Sequence, residues 1–131
     1  ILQDNFKKKS IRGIILPVSA PFHCSLMEGA EKKMSQKITE SLFKDPKPSI
    51  ISNVTAKPEN KVNKIKELLI KQITSRVKWR ESVEYMINCG VNEFIEIGPG
   101  KVLTGLVKRI NKDVKVFNIN SIDDITSYIN K

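Results

Sequence analysis

The chain has 131 residues, of which 40% are hydrophobic and 28% charged, a composition typical of one soluble globular domain. Its apolar runs are too short for a membrane span, and the N-terminal stretch lacks the apolar core of a signal peptide. The formal net charge is +9, but the lysines are scattered and the sequence has no pattern of arginines with aromatic residues, so it does not predict a nucleic-acid partner. The positive charge favours an acidic partner or a phosphate-bearing substrate.

The first half of the chain predicts two strands and one helix. Residues 11–19 are rich in β-branched side chains and predict a strand that runs into a loop over 20–24. Ser25 and Glu28 have the spacing of a capping box, and the apolar periodicity after them predicts a helix over 25–43. Further along, the pattern predicts a strand over 49–54 and a turn over 57–60.

The second half of the chain alternates helices with strands. Predicted helices cover 62–73, 75–89 and 102–110, and Ser121 is the predicted N-cap of a last helix. Predicted strands cover 93–97 and 114–118. The alternation predicts an α/β fold with a mostly parallel sheet and helices on its faces.

His23, the only histidine, follows a proline-containing loop after a predicted strand, where open α/β sheets place their sites. Such an imidazole can act as a general base, and a histidine that only hydrogen-bonds locally is the alternative. Cys24 suggests a cysteine nucleophile, but adjacent side chains seldom converge, so we expect a small apolar role. Two cysteines and one histidine predict reduced thiols in a cytoplasmic protein and no metal site.

The glycine turn at Gly98–Pro99–Gly100 lies between a predicted strand and a predicted helix. Backbone N–H groups at such a turn can face an anion. The turn is neither a P-loop nor a dinucleotide fingerprint, because Ile95 and Leu103 stand where those motifs need glycine. We therefore interpret it as a structural turn.

Four segments, taken together, resemble one family. Residues 16–27 read Leu-Pro-Val-Ser-Ala-Pro-Phe-His-Cys-Ser-Leu-Met and resemble the histidine motif of malonyl-CoA:acyl carrier protein transacylases. The other segments, in the order of the family, are 51–56, 77–86 and 94–106. The last contains Glu-Ile-Gly-Pro-Gly-Lys-Val-Leu-Thr-Gly-Leu, which closely matches a family motif.

The resemblance implies a fold and a domain organisation. The family has an α/β-hydrolase-like core, a parallel sheet with helices on both faces, into which a ferredoxin-like subdomain is inserted. Residues 1–17 would end that subdomain, and residues 18–131 would form the C-terminal part of the catalytic core. The chain begins without Met, and we expect it to be the C-terminal part of a longer protein.

The resemblance also implies an activity: transfer of malonyl from malonyl-CoA to acyl carrier protein through a serine ester, in bacterial fatty-acid synthesis without a cofactor. By the match, His23 is the catalytic histidine and the backbone carbonyl of Gln72 orients its ring. The family's G-H-S-x-G serine motif is absent from these residues, so we expect the chain alone to be inactive and to need the N-terminal part. The alternatives are a non-catalytic remnant of that enzyme and a basic binding module.

Overall fold

A computed structural model of the chain describes residues 6, 9, 10, 12 and 19–130. The helices are α1 (Glu28–Glu40), α2 (Val62–Gln72), α3 (Trp79–Asn88), α4 (Val102–Ile110) and α5 (Ile122–Ile129). The strands are β1 (Ile50–Ile51), β2 (Pro58–Glu59), β3 (Glu93–Ile97) and β4 (Lys115–Ile119). Apart from a few isolated residues, the predicted strand over 11–19 and the expected subdomain over 1–17 lie outside the described residues.

The described strands form two separate pairs. β1 and β2 pair antiparallel, with Ile50 opposite Glu59. β3 and β4 pair parallel from Glu93 opposite Lys115 to Ile97 opposite Ile119, and α4 is the helical crossover that a parallel connection requires. The α/β class is thus confirmed, whereas the β1–β2 pair departs from a mostly parallel sheet.

The best-buried cluster of the described residues lies between the β3–β4 pair and the helices α3 and α4. It consists of Val83, Val107 and Val114, which are 0%, 3% and 4% exposed. Side chains of Trp79 and Phe94, among others, pack around it. Full burial of one such valine contributes about 1.5–3 kcal/mol, so this cluster anchors the second half of the chain.

The other buried apolar residues lie in the first half of the described chain. α2 buries Ile65 and Leu68, and Ala56 is buried in the loop between β1 and β2. α1 buries none of its residues. None of the helices in the described part of the chain is long and apolar enough to cross a membrane.

The predicted capping box at Ser25 is wrong. Cys24 has the extended backbone of an N-cap, and Ser25 lies inside a 3₁₀ turn over Ser25–Met27 that has no side-chain cap. α1 therefore starts only at Glu28, and it ends at Glu40 rather than at residue 43. At that end the N–H and the hydroxyl of Ser41 both donate to the Lys37 carbonyl, which closes the last turn.

Two more predictions in this region are wrong, and backbone hydrogen bonds explain both. Residues Pro58–Glu59 form β2 rather than a turn, because the chain reverses earlier, where the Ala56 N–H donates to the Ser52 carbonyl at 2.8 Å. α3 starts at Trp79 rather than at residue 75. The Lys78 N–H donates to the Asn53 carbonyl at 2.8 Å, which holds the preceding segment outside the helix.

Candidate active site around His23

His23 stands at the entrance to the 3₁₀ turn, and its side chain is exposed. Its backbone has φ 60°, a left-handed conformation that is uncommon for a residue with a β-carbon. Such a conformation costs of order 1–3 kcal/mol and persists where the surroundings hold it. At His23 the surroundings include a contact to α2, because Nδ1 lies 2.8 Å from the Gln72 carbonyl oxygen.

That contact determines which ring nitrogen carries the proton. A carbonyl oxygen accepts hydrogen bonds and cannot donate one, so Nδ1–H is the donor. In the neutral ring, Nε2 then holds the lone pair, and it is available to take a proton from another group. The arrangement has the chemistry of a general base whose orienting partner is neutral.

The Gln72 carbonyl is available for this role because of its place in α2. Gln72 is the last residue of that helix, and the last four carbonyls of a helix have no partner within it. The backbone N–H groups of Ile73 and Thr74 bond to the carbonyls of Ile70 and Lys71. The His23 ring thus fills an acceptor that the helix leaves open.

The structure does not turn Cys24 toward the imidazole. Its thiol donates to the Pro21 carbonyl at 3.1 Å, and the residue is half-buried rather than fully buried. Cys89 is exposed near the end of α3. Within the part of the chain that the structure describes, no group of three or more His, Cys, Asp or Glu side chains could hold a metal ion.

The glycine turn after β3 is held by side chains of this chain. The Glu96 carboxylate accepts from the N–H of Leu103 at 3.1 Å and from the N–H and hydroxyl of Thr104 at 2.8 and 2.7 Å. These bonds lower the pKa of Glu96, and the bond from the Thr104 hydroxyl has the largest effect. Glu96 thus occupies the α4 N-terminus that a bound phosphate would use. Asn118 Nδ2 donates to the Gly100 carbonyl at 2.6 Å and fixes the other side of the turn.

A cavity of about 250 Å³ lies beside Gln72. Its lining is mostly apolar and comes from β1, the loop after it, β2 and α2: Ile50, Ile51, Ser52, Asn53, Glu59, Ile65, Leu68, Leu69 and Gln72. Ligand pockets usually start at about 300 Å³, so we assign this cavity no ligand.

The curated relatives that this chain matches include malonyl CoA-acyl carrier protein transacylases from different bacteria. The malonyl CoA-acyl carrier protein transacylase of Staphylococcus aureus (strain COL) is 43% identical over 113 residues, which are 86% of this chain and 37% of the relative. This chain is homologous to the C-terminal part of the malonyl CoA-acyl carrier protein transacylases. It therefore spans well under half of the length of the transacylases that it matches. No protein-family model matches the chain.

Solved structures of such transacylases share the fold. An acyl-carrier-protein S-malonyltransferase from Bartonella henselae matches 97% of this chain at 40% identity, with a TM-score of 0.88, and 41% of its own chain is covered. A malonyl-transacylase solved in complex with its type II PKS acyl-carrier protein matches 98% of this chain at 35% identity, with a TM-score of 0.84 and 42% of that chain covered. The described α/β arrangement is thus that of part of a malonyl-transacylase.

Sequence reasoning overlooked two side chains that lie close to this site. Thr74 follows Gln72 by two positions, and its hydroxyl donates to the Glu31 carboxylate of α1 at 2.5 Å. The two residues are 43 positions apart, so no periodicity or local motif connects them. Only the packing of α1 against α2 brings them together.

Proposed function

We propose that this chain carries the general base of a malonyl transfer, from malonyl-CoA to the phosphopantetheine thiol of acyl carrier protein, in fatty-acid synthesis. His23 is that base. The observation that carries the proposal is the 2.8 Å contact between His23 Nδ1 and the Gln72 carbonyl oxygen, which leaves Nε2 free to accept a proton. The homology to the transacylases supplies the reaction class.

In the first half of the proposed reaction, His23 Nε2 takes the proton of a serine hydroxyl as the serine oxygen attacks the thioester carbonyl of malonyl-CoA. The tetrahedral intermediate then expels the coenzyme A thiolate, and the imidazolium returns its proton to that sulfur. A malonyl ester on serine results. The Gln72 carbonyl acts as a positioning group, because it holds the ring in the tautomer that exposes Nε2.

The second half reverses these roles with a new thiol. His23 Nε2 takes the proton of the phosphopantetheine thiol as its sulfur attacks the ester carbonyl. The serine oxygen leaves and recovers its proton from the imidazolium. Each half moves one proton out and back through the same nitrogen, so the reaction needs no cofactor, and malonyl-CoA and acyl carrier protein are substrates.

The proposal assigns the nucleophile to residues outside this chain. The 131 residues contain no G-H-S-x-G motif, and the matched relative extends well beyond the aligned part. We propose that an N-terminal part supplies the serine and completes an α/β-hydrolase-like sheet, and that the chain alone does not transfer malonyl. A net charge of +9 favours the encounter with phosphate-bearing substrates in the cytoplasm.

Substitution in an enzyme completed with the N-terminal part tests the role of His23. Replacing His23 with Ala removes the general base, and turnover is expected to fall by roughly 10²–10⁴. The matched control is Cys24→Ala at the neighbouring position, where the thiol bonds only to the Pro21 carbonyl and turnover should stay near that of the wild type. Wild-type turnover in His23→Ala, or malonyl transfer by the 131-residue chain alone, would refute the proposal.

A further inference from the structure

We propose that Glu31 and Thr74 are a positioning pair for His23: they hold α1 at the spacing from the end of α2 that keeps the imidazole on the Gln72 carbonyl. The catalytic meaning of this inference rests on the proposed function, whereas the geometry does not. The pair joins α1 to the segment just after α2, since the Thr74 hydroxyl donates to the Glu31 carboxylate at 2.5 Å in a part-buried setting.

The contacts between these elements follow one line. At one end, His23 reaches Gln72. Next along α1, Glu31 meets Thr74 just past the end of α2. Further on, Lys66 Nζ of α2 donates at 2.7 Å to each of two carbonyls at the end of α1, those of Thr39 and Ser41. α1 therefore runs along α2 in the opposite direction, with polar contacts near both of its ends.

Polar contacts carry more weight here than in an ordinary helix pair. α1 has no buried residue, so apolar burial does little to fix where it lies against α2. The short turn between His23 and α1 is closed by the Met27 N–H bonding to the Cys24 carbonyl at 3.0 Å. A shift of α1 is passed through this turn to His23, whose backbone is already in a sparsely populated conformation.

The Thr74 hydroxyl has one proton and two acceptors within reach. The Glu31 oxygen is 2.5 Å away, and the Lys71 carbonyl in the preceding turn is 3.4 Å away. The shorter contact takes the proton, because hydrogen bonds weaken with distance and those to a carboxylate are stronger. Loss of Glu31 leaves Thr74 a local partner, so the consequence of removing the pair is movement of α1 rather than an unpaired hydroxyl.

Nitrogen NMR of the imidazole in the full 131-residue chain tests the pair, because the chain has one histidine and therefore one pair of ring-nitrogen signals, Nδ1 and Nε2. In the neutral ring, the wild type is expected to be mostly the Nδ1–H tautomer, because Nδ1 lies 2.8 Å from the Gln72 carbonyl oxygen. In Thr74→Val the ratio of Nδ1–H to Nε2–H should fall about fivefold, which corresponds to one ordinary hydrogen bond. Thr74→Ser restores a hydroxyl and should restore the ratio.

The matched control is Thr39→Val, which removes a hydroxyl that bonds within α1, to the Ser35 carbonyl at 2.7 Å, and should leave the ratio unchanged. A second variant, Glu31→Ala, removes the other partner of the pair and should lower the ratio as Thr74→Val does. It tests the pair even if Thr74→Val does not fold. An unchanged ratio in either folded variant, or an equal fall in Thr39→Val, would overturn the positioning role. Wild-type turnover of His23→Ala in the completed enzyme would refute a catalytic role of His23. It would not affect the conclusion drawn from the tautomer ratio.

Discussion

Val83→Ala should be among the most destabilising single substitutions in the described part of the chain. Val83 is 0% exposed and contacts the other members of the valine cluster between α3, α4 and the β3–β4 pair. The substitution removes two buried carbons, worth about 0.8 kcal/mol each in lost transfer free energy. A cavity of about 50 Å³, at about 24 cal/mol per Å³, adds roughly 1 kcal/mol. The expected loss in the free energy of unfolding is about 3 kcal/mol.

Urea unfolding followed by far-ultraviolet circular dichroism measures this loss. With a slope of about 2 kcal/mol per molar urea, the midpoint should fall by roughly 1.5 M. Val102→Ala is the matched control: the side chain is 70% exposed at the start of α4, and the expected change is within about 0.5 kcal/mol. Equal midpoint shifts in the two variants would refute the assignment of Val83 to the core.

Further substitutions test three local features: the Glu96 carboxylate, the N-cap of α5 and the backbone at Gly90. Hydrogen bonds from Thr104 lower the pKa of Glu96. At pH values above the ordinary pKa of a glutamate, these bonds to the charged carboxylate stabilise the fold. This stabilisation is lost as the pH falls through the lowered pKa. The difference in melting temperature between wild type and Glu96→Gln should therefore narrow on acidification, and a constant difference would contradict this. Ser121→Ala should cost about 1 kcal/mol in urea unfolding, since it removes an N-cap, whereas Ser121→Asn should cost little. Gly90 has φ 92°, so Gly90→Ala should lower the free energy of unfolding by about 1 kcal/mol. Gly29→Ala inside α1 should raise that free energy by a similar amount. A lower free energy of unfolding in both variants would show that φ is not the cause.

Elements that depend on near neighbours could be predicted from the sequence. β3 occupies the predicted residues 93–97, because a β-rich run is bounded by turn residues on both sides. Ser121 caps α5 in a capping box with Asp124, whose carboxylate also accepts from the Ser121 N–H. Both partners of that box lie within three positions of each other, so the pattern is visible in the sequence.

Two helix starts could not be predicted from the sequence pattern. Ser25 has the residue types of a capping box, yet the backbone there turns as a 3₁₀ helix, and the extended conformation falls on Cys24 instead. The start of α3 depends on a bond from Lys78 to Asn53, in the loop after β1. A helical periodicity does not register such a bond, because the two ends belong to different elements.

The residues of the candidate site also divide into those that the sequence predicts and those that it does not. His23 attracts attention from its position after a predicted strand, but position alone left a merely local hydrogen bond as an alternative. Its contact with Gln72 spans 49 positions, and only the family resemblance directed attention to that carbonyl. Glu31 and Thr74 had no signal at all, because this contact depends on how α1 lies against α2 and the residues that follow it.

The separation of the buried valine cluster from the His23 site has a consequence for cooperativity. The chain has one tryptophan and one histidine; Trp79 packs against the cluster, whereas His23 bonds to α2. Indole fluorescence therefore follows melting of the β3–β4 half, and the imidazole resonance follows melting of the half that holds His23. Coincident curves mean a single cooperative unit. Earlier loss of the imidazole signal means that the half with His23 opens by itself while the valine cluster stays folded.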